Sequence, residues 1–314
     1  MEKVTKKAVV KTAVNKIAQA LGLLVSLSLS SLSALSEEVN LEKSSTDASP
    51  PKRKSQIKFS VLAGKDRYRD SEVSAQLGLD PMWALTGSGS GEKSDGIKTA
   101  SAFSLGVSAQ FSPDFDSNIS FRSRREPDSV VARGLSTGFN WNLASLWKGE
   151  QATELELQAT WMKYKQDEGS RTKVRDGGIS QNSVLLSLNQ ELNSDVAIQG
   201  SYSLYGLGGA DAAVLSQAIA SRPQVNEGFL TVVDGFPKDA YGLGADFQVR
   251  EEWSIGLNLF KTNYFNGNTS HGISVSTNLD LNKEWSAGMG ISTTRNTSDD
   301  STNSLLDLSV AYNW

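Results

Sequence analysis

The sequence predicts an all-β protein, a transmembrane antiparallel up-and-down β-barrel of about 14 strands, with 12 possible if a weak early hairpin lies outside the wall. From Gln56 onward, apolar residues recur at every second position of short segments, which is the period of a strand with two different faces. The residues between them are mostly Ser, Gly, Asn and Gln, which suit a wet interior. Short and long connections alternate, as they do when turns lie on one side of a membrane and loops on the other.

Residues 1–36 have the layout of a secretory signal peptide. Five lysines in the first 16 residues precede an uncharged, Leu- and Ser-rich run over residues 17–35. Ala34 and Ser36 are small residues at the two positions that a signal peptidase reads, and we predict cleavage after Ser36. The alternative is an amphipathic or membrane-anchor helix, but the serines weaken the run as a span, which needs about 20 predominantly apolar residues.

Residues 37–55 are polar and contain Pro50-Pro51 and the basic cluster Lys52-Arg53-Lys54. The segment has no apolar period, so we predict a flexible periplasmic tail. The barrel domain then covers residues 56–314, with both of its ends on the periplasmic side.

The alternation is clearest near the C-terminus, at residues 241–249, 253–259, 273–281 and 285–293. It is weaker at residues 57–63, 73–79, 82–87 and 119–121. We predict longer polar loops at residues 65–70, 88–96, 125–128, 166–178, 206–239, 266–270 and 296–303. A soluble antiparallel sandwich also alternates, but here tryptophans lie beside the short turns, at Trp83, Trp141, Trp147, Trp253 and Trp285, and Trp161 lies near a long loop. Trp at both interfaces is typical of a membrane barrel.

The last segment carries apolar residues on one face and ends in an aromatic residue, with Leu306, Leu308, Val310, Tyr312 and Trp314. This segment resembles the C-terminal signature of Gram-negative outer-membrane β-barrel proteins, which are porin-like in architecture, without pointing to a specific subfamily. The resemblance implies that the barrel-assembly machinery recognises Leu308, Tyr312 and Trp314. It also implies a location in the cell outer membrane, in contact with membrane lipid and lipopolysaccharide.

The composition argues against an enzyme. The chain has no cysteine and a single histidine, His271, whose parity with Ile273 puts it on the lipid face. Ser270 precedes it, but adjacent strand residues point to opposite faces, so a Ser–His pair is not expected. We therefore predict no catalytic, metal or cofactor-binding residues. The 31 basic and 35 acidic residues give a net charge of −4, without the basic patch that a nucleic-acid partner needs.

The inward-facing residues therefore define the function. We predict that the lumen is lined by charged residues at Arg122, Glu154, Glu156, Asp246, Asp280 and Asp307, and the acidic excess favours cations. The leading hypothesis is a porin-like channel for passive diffusion of small hydrophilic solutes or ions. The alternative is a non-conducting structural or surface-binding barrel, and an outer-membrane hydrolase is a third hypothesis.

The loop at residues 206–239 contains a helix-like stretch and an apolar run at residues 229–233. It is a candidate for constricting the barrel mouth, or else for a surface-binding loop or an extra hairpin. The oligomeric state is left open.

Overall fold

Fourteen antiparallel strands close into one barrel in the computed structural model, which describes residues 55–64, 68–93, 99–126, 130–143, 152–166, 179–208, 237–265, 267–297 and 300–314. The strands are β1 (Gln56–Gly64), β2 (Arg69–Gly78), β3 (Trp83–Lys93), β4 (Ala100–Ser112), β5 (Phe115–Glu126), β6 (Val130–Asn142), β7 (Thr153–Gln166), β8 (Ile179–Asn193), β9 (Val196–Gly208), β10 (Pro237–Arg250), β11 (Trp253–Tyr264), β12 (Thr269–Asp280), β13 (Trp285–Asn296) and β14 (Thr302–Asn313). The predicted all-β barrel is confirmed, and the count of 14 excludes the 12-strand alternative.

The barrel closes where the first strand meets the last. Strand β1 pairs antiparallel with both β2 and β14, and all other neighbours are consecutive in the chain. Just outside this pairing, Ser55 and Trp314 exchange two backbone hydrogen bonds of 3.1 and 3.0 Å. Closure leaves no strand edge unpaired, which is what a sheet needs in lipid.

The outer face of the wall is apolar. Large hydrophobic side chains there are strongly exposed, such as Leu105 at 63% and Leu243 at 62%. Few large apolar side chains are buried among the described residues, and most of those few are tyrosines near the loop ends of the strands, including Tyr164 and Tyr264. The barrel thus presents its apolar residues outward and has no packed apolar core in its described part. No helix within the described residues is long and apolar enough to cross a membrane.

Side-chain acceptors hold the short turns on one side of the barrel. The Asp80 Oδ1 atom accepts hydrogen bonds from the backbone N–H groups of Met82 and Trp83, both at 2.7 Å. Asn282 Oδ1 does the same for Glu284 and Trp285, at 2.8 and 2.9 Å. Asp and Asn favour turns because their side chains replace backbone hydrogen-bond partners in this way.

The strands extend further toward the loop side than the sequence predicted. Residues 88–93, assigned to a loop, continue β3 and pair with β2 as far as Arg69 opposite Lys93. Similarly, residues 206–208 belong to β9, 237–239 to β10 and 302–303 to β14. The physical reason is that backbone pairing continues where both faces meet water, although the apolar alternation ends there.

The signal peptide and the tail predicted over residues 1–36 and 37–55 lie outside the described residues, apart from Ser55. Most of the predicted constricting loop, at residues 209–236, also lies outside them, as does Trp147.

Candidate functional site

The inner face of the wall is the candidate site, because it is polar and enclosed by the closed sheet. Hydroxyl and amide groups on neighbouring strands contact one another along it. Ser88 and Ser104 lie 2.9 Å apart between hydroxyl oxygens, as do Ser136 and Thr160. Such groups suit contact with water rather than close apolar packing.

The register gives inner-face positions to the six residues predicted to line the lumen. The pairs across the wall are Arg122 with Ser104 and Gly134, Glu154 with Asn142 and Asn189, Glu156 with Asn140 and Ser187, Asp246 with Ala197 and Gly256, Asp280 with Ser286, and Asp307 with Leu62 and Gly290. Glu154, Asp246 and Asp280 are exposed, whereas Arg122, Glu156 and Asp307 are half-buried. Contact of these residues with a passing solute stays a prediction.

A row of acidic and amide groups crosses three strands at the turn end of the inner face. Asp116, Asn140 and Glu156 lie directly opposite one another on β5, β6 and β7. The Asn140 side-chain N–H donates to Asp116 Oδ1 at 3.0 Å. The row therefore places two carboxylates around one amide, and it adds Asp116 to the residues that the sequence predicted.

A buried ion pair lies at the loop end of the same face. Arg124 Nη2 of β5 donates to Glu92 Oε2 of β3 at 2.6 Å, and both residues are only 8% exposed. The two side chains meet across β4, where their register partners are the small residues Ala102 and Ala100. The small side chains of β4 leave the space in which this pair forms.

Tyr68 lies beside this ion pair and is 2% exposed. Burial raises the pKa of its phenol well above the ordinary value, and the negative charges of Glu92 and Asp70 raise it further. The phenol is therefore neutral, and the charge in this cluster belongs to the carboxylates and Arg124. The cost of taking both charges out of water offsets much of their attraction in a buried pair of this kind.

The sequence reasoning missed the ion pair for identifiable reasons. Glu92 falls in the segment that was assigned to a loop, so its face was not considered. Arg124 follows Arg122 at a spacing of two on β5, so the parity that put Arg122 inward also applies to Arg124.

The terminal strand presents its predicted assembly residues on the outer face. Leu308 and Trp314 are 48% and 57% exposed. The Tyr312 ring lies 4.8 Å from that of Trp285 and 5.8 Å from that of Trp314, centroid to centroid, which forms an aromatic cluster at the turn end. Recognition of these residues by the assembly machinery stays a prediction.

His271 lies on the outer face, opposite Lys261 and Arg295. Ser270 lies on the inner face, where its hydroxyl is 3.1 Å from that of Tyr264. The two neighbours therefore point apart, as their parity predicted. In the part of the chain that the structure describes, no three His, Asp or Glu side chains gather as a metal site.

A closed antiparallel wall, an apolar outer surface with aromatics at the turn end and a polar inner face together define a transmembrane β-barrel of the outer-membrane type. No protein-family model matches the sequence, and no curated protein matches it. Similar solved structures include the KdgM porin, at 8% identity and a TM-score of 0.40, over 82% of this chain and 98% of that one.

Two further similar structures are a channel and a FadL homologue by name. The CymD monoaromatic hydrocarbon channel is 9% identical, with a TM-score of 0.49 over 84% of this chain and 88% of that one. A Pseudomonas aeruginosa FadL homologue is 10% identical, with a TM-score of 0.48 over 83% and 90%. The strand closure and the two faces of the wall, rather than these likenesses, define the class.

Proposed function

We propose that this chain is an outer-membrane channel for the passive diffusion of small hydrophilic solutes or ions. The observation that carries the proposal is the polar, small-residue inner face of a closed 14-strand barrel. Barrel diameter grows with strand number, so that about eight strands are filled by side chains whereas 16 to 18 leave an aqueous channel. A 14-strand wall lies close to the second case.

Many of the inner residues are too small to occupy much of such a barrel, although Met162, Tyr164 and Phe260 also point inward. On β13 the inward positions are Ser286, Gly288, Gly290 and Ser292, and on β10 they include Gly242 and Gly244. Short side chains leave room, and their hydroxyl groups favour water in that room. A water-filled interior is the physical requirement for passage of hydrophilic solutes.

The charge of the inner face favours cations. In the regularly paired positions with described side chains, the inward acidic residues are Asp70, Glu72, Glu92, Asp116, Glu154, Glu156, Glu191, Asp246, Asp280 and Asp307. The inward basic residues are Lys58, Arg122 and Arg124. A net negative wall raises the local concentration of cations and lowers that of anions.

The terminal strand supports a route to the membrane. Export through the predicted signal peptide and insertion by the barrel-assembly machinery, which reads Leu308, Tyr312 and Trp314, bring the barrel to the cell outer membrane. Its partners there are membrane lipid, lipopolysaccharide and the solutes that pass.

Conductance in a planar bilayer tests the channel directly. The mature barrel, refolded in detergent, is added to one chamber with KCl on both sides, and the control is the same protein kept unfolded in the same detergent. We expect discrete conductance steps from the folded protein alone. A folded barrel that inserts but gives no steps contradicts the proposal and favours a structural or surface-binding barrel that acts through its loops.

A further inference from the structure

Four basic side chains gather on the outer face near the loop ends of β5, β6 and β7. They are Arg125, Arg133, Lys163 and Lys165, and all four are exposed. Arg133 lies directly opposite Lys163, while Val131 separates Arg125 from Lys165 in the next row. We call these four residues the basic patch.

The basic patch adjoins an apolar concavity in the outer wall. The concavity has a volume of about 970 Å³, and its lining includes the four basic residues together with Phe103, Phe121, Leu135 and Trp161. Phe121, Leu135 and Trp161 form the next outward row toward the turns, directly below Arg133 and Lys163. Cations thus lie above a surface of rings and aliphatic side chains that is itself exposed, with Trp161 at 47%.

The facing cations Arg133 and Lys163 are electrostatically unbalanced within the described outer wall. Like charges directly opposite each other on neighbouring strands repel, and Arg133 and Lys163 are such a pair. Among the outward positions of β4 to β8 with described side chains, none is acidic, because Asp116, Glu154, Glu156 and Glu191 all lie on the inner face. An anion bound at the patch offsets this repulsion.

We propose that the basic patch binds the phosphate groups of lipopolysaccharide, with the acyl chains of the same molecule lying on the apolar surface below. The proposal rests on the proposed location in the outer membrane with the loops outward. An arginine fork matches a phosphate with two parallel hydrogen bonds, and lysine adds a compact positive charge. One ligand that carries phosphates above several acyl chains matches both halves of the site, whereas free phosphate matches only the upper half.

The test compares two charge-matched double variants of the refolded barrel in detergent. Arg133→Gln/Lys163→Gln removes the facing cations of the basic patch. Arg250→Gln/Lys283→Gln removes one Arg and one Lys at the turn end. Binding of bisphosphorylated lipid A, of its dephosphorylated form and of inorganic phosphate is measured for each protein, and folding is checked by heat-dependent mobility on gels.

We expect the patch variant to bind bisphosphorylated lipid A about tenfold more weakly than the unaltered barrel, and the turn-end variant to bind within about twofold of it. We also expect dephosphorylated lipid A to bind weakly to every protein. Equal affinity of the patch variant and the unaltered barrel overturns the proposal, as does an equal loss in both variants. Inorganic phosphate that binds as tightly as lipid A overturns the lipid as the ligand.

A stability measurement guards against a simple folding defect. Without lipid, the patch variant should be no less heat-stable than the unaltered barrel, since it loses a like-charge contact. With bisphosphorylated lipid A, the unaltered barrel should gain more in midpoint temperature than the patch variant, because a ligand stabilises the state that it binds. Conductance of the same proteins separates the two proposals. A barrel that conducts but whose lipid A binding does not depend on the basic patch contradicts only the lipid site. A barrel that gives no conductance but binds lipid A through the basic patch contradicts only the channel.

Discussion

Gly134 is a residue at which β6 approaches its neighbour very closely. A Cβ atom added there meets the carbonyl oxygen of Trp161 and the sulfur of Met162, and it lies 2.9 Å from the Met162 Cα atom. Backbone atoms of a paired strand cannot move aside without breaking the ladder. Glycine is therefore required at this position because a Cβ atom would clash with the neighbouring strand, and not because of its backbone conformation.

We expect Gly134→Ala to lower the free energy of unfolding by about 1–3 kcal/mol, as overpacking does in a rigid interior. The measurement is the urea midpoint of the refolded barrel, followed by tryptophan fluorescence. The matched control is Gly89→Ala, where an added Cβ atom meets nothing within 4 Å. Equal midpoints for the two variants contradict the close approach.

Glu154 and Glu156 test the charge of the lumen at the residue scale. Both point inward near the turn end of β7. The double variant Glu154→Gln/Glu156→Gln should reduce the ratio of K⁺ to Cl⁻ permeability by about twofold, a change of about 0.4 kcal/mol that fits charges acting across water. The reversal potential in a KCl gradient measures this ratio. Glu251→Gln/Glu252→Gln, in the turn between β10 and β11, is the control and should leave the ratio unchanged.

At the scale of elements, the sequence predicted the strands because hydrocarbon demands an apolar side chain at every second position. Outside the hydrocarbon layer this constraint is absent, so the ends of the strands were predicted less accurately. Residues 88–93, for example, were predicted as a loop but belong to β3. Parity along a single strand was enough to put Arg122 and Asp307 on the inner face. The contacts of Glu92 with Arg124 and of Arg133 with Lys163 depend on the register between strands. The alternation of residues within one strand does not determine that register.

The terminal residue that follows strand β14 should affect assembly of the barrel but not its stability. Removing Trp314 takes away an exposed ring and the two backbone hydrogen bonds to Ser55 at the edge of the barrel seam, but leaves β14 paired along its length. We expect the truncated chain to accumulate far less in the outer membrane of cells while it still refolds in detergent. Trp141→Ala is the control, because that ring is also exposed on the outer face at the turn end, at 42%. Equal loss of both variants from the membrane contradicts a role for the terminal residue in assembly.

At the scale of the whole barrel, the outer face differs between its two ends. Aromatic side chains gather at the turn end, as in the cluster of Trp285, Tyr312 and Trp314. Basic side chains gather toward the loop end, where Lys261 and Arg295 flank His271 in one outward row and Arg295 is paired with Asp300. The basic patch lies at the same end on other strands. The ring-rich end suits an ordinary headgroup layer, and the cationic end suits a leaflet rich in anionic groups. This asymmetry predicts that the loops face the cell exterior.

The absence of native cysteine allows that orientation to be measured with single introduced thiols. Phe265→Cys lies in the loop between β11 and β12, and Lys283→Cys lies in the turn between β12 and β13, so the two sites mark opposite ends of one strand. A maleimide on a polymer too large to enter a channel should label Phe265→Cys on intact cells. It should label Lys283→Cys only after the outer membrane has been permeabilised. The reverse pattern contradicts the orientation. Equal labelling of both sites on intact cells contradicts a barrel that spans the membrane, because the two ends of a spanning barrel face separate compartments.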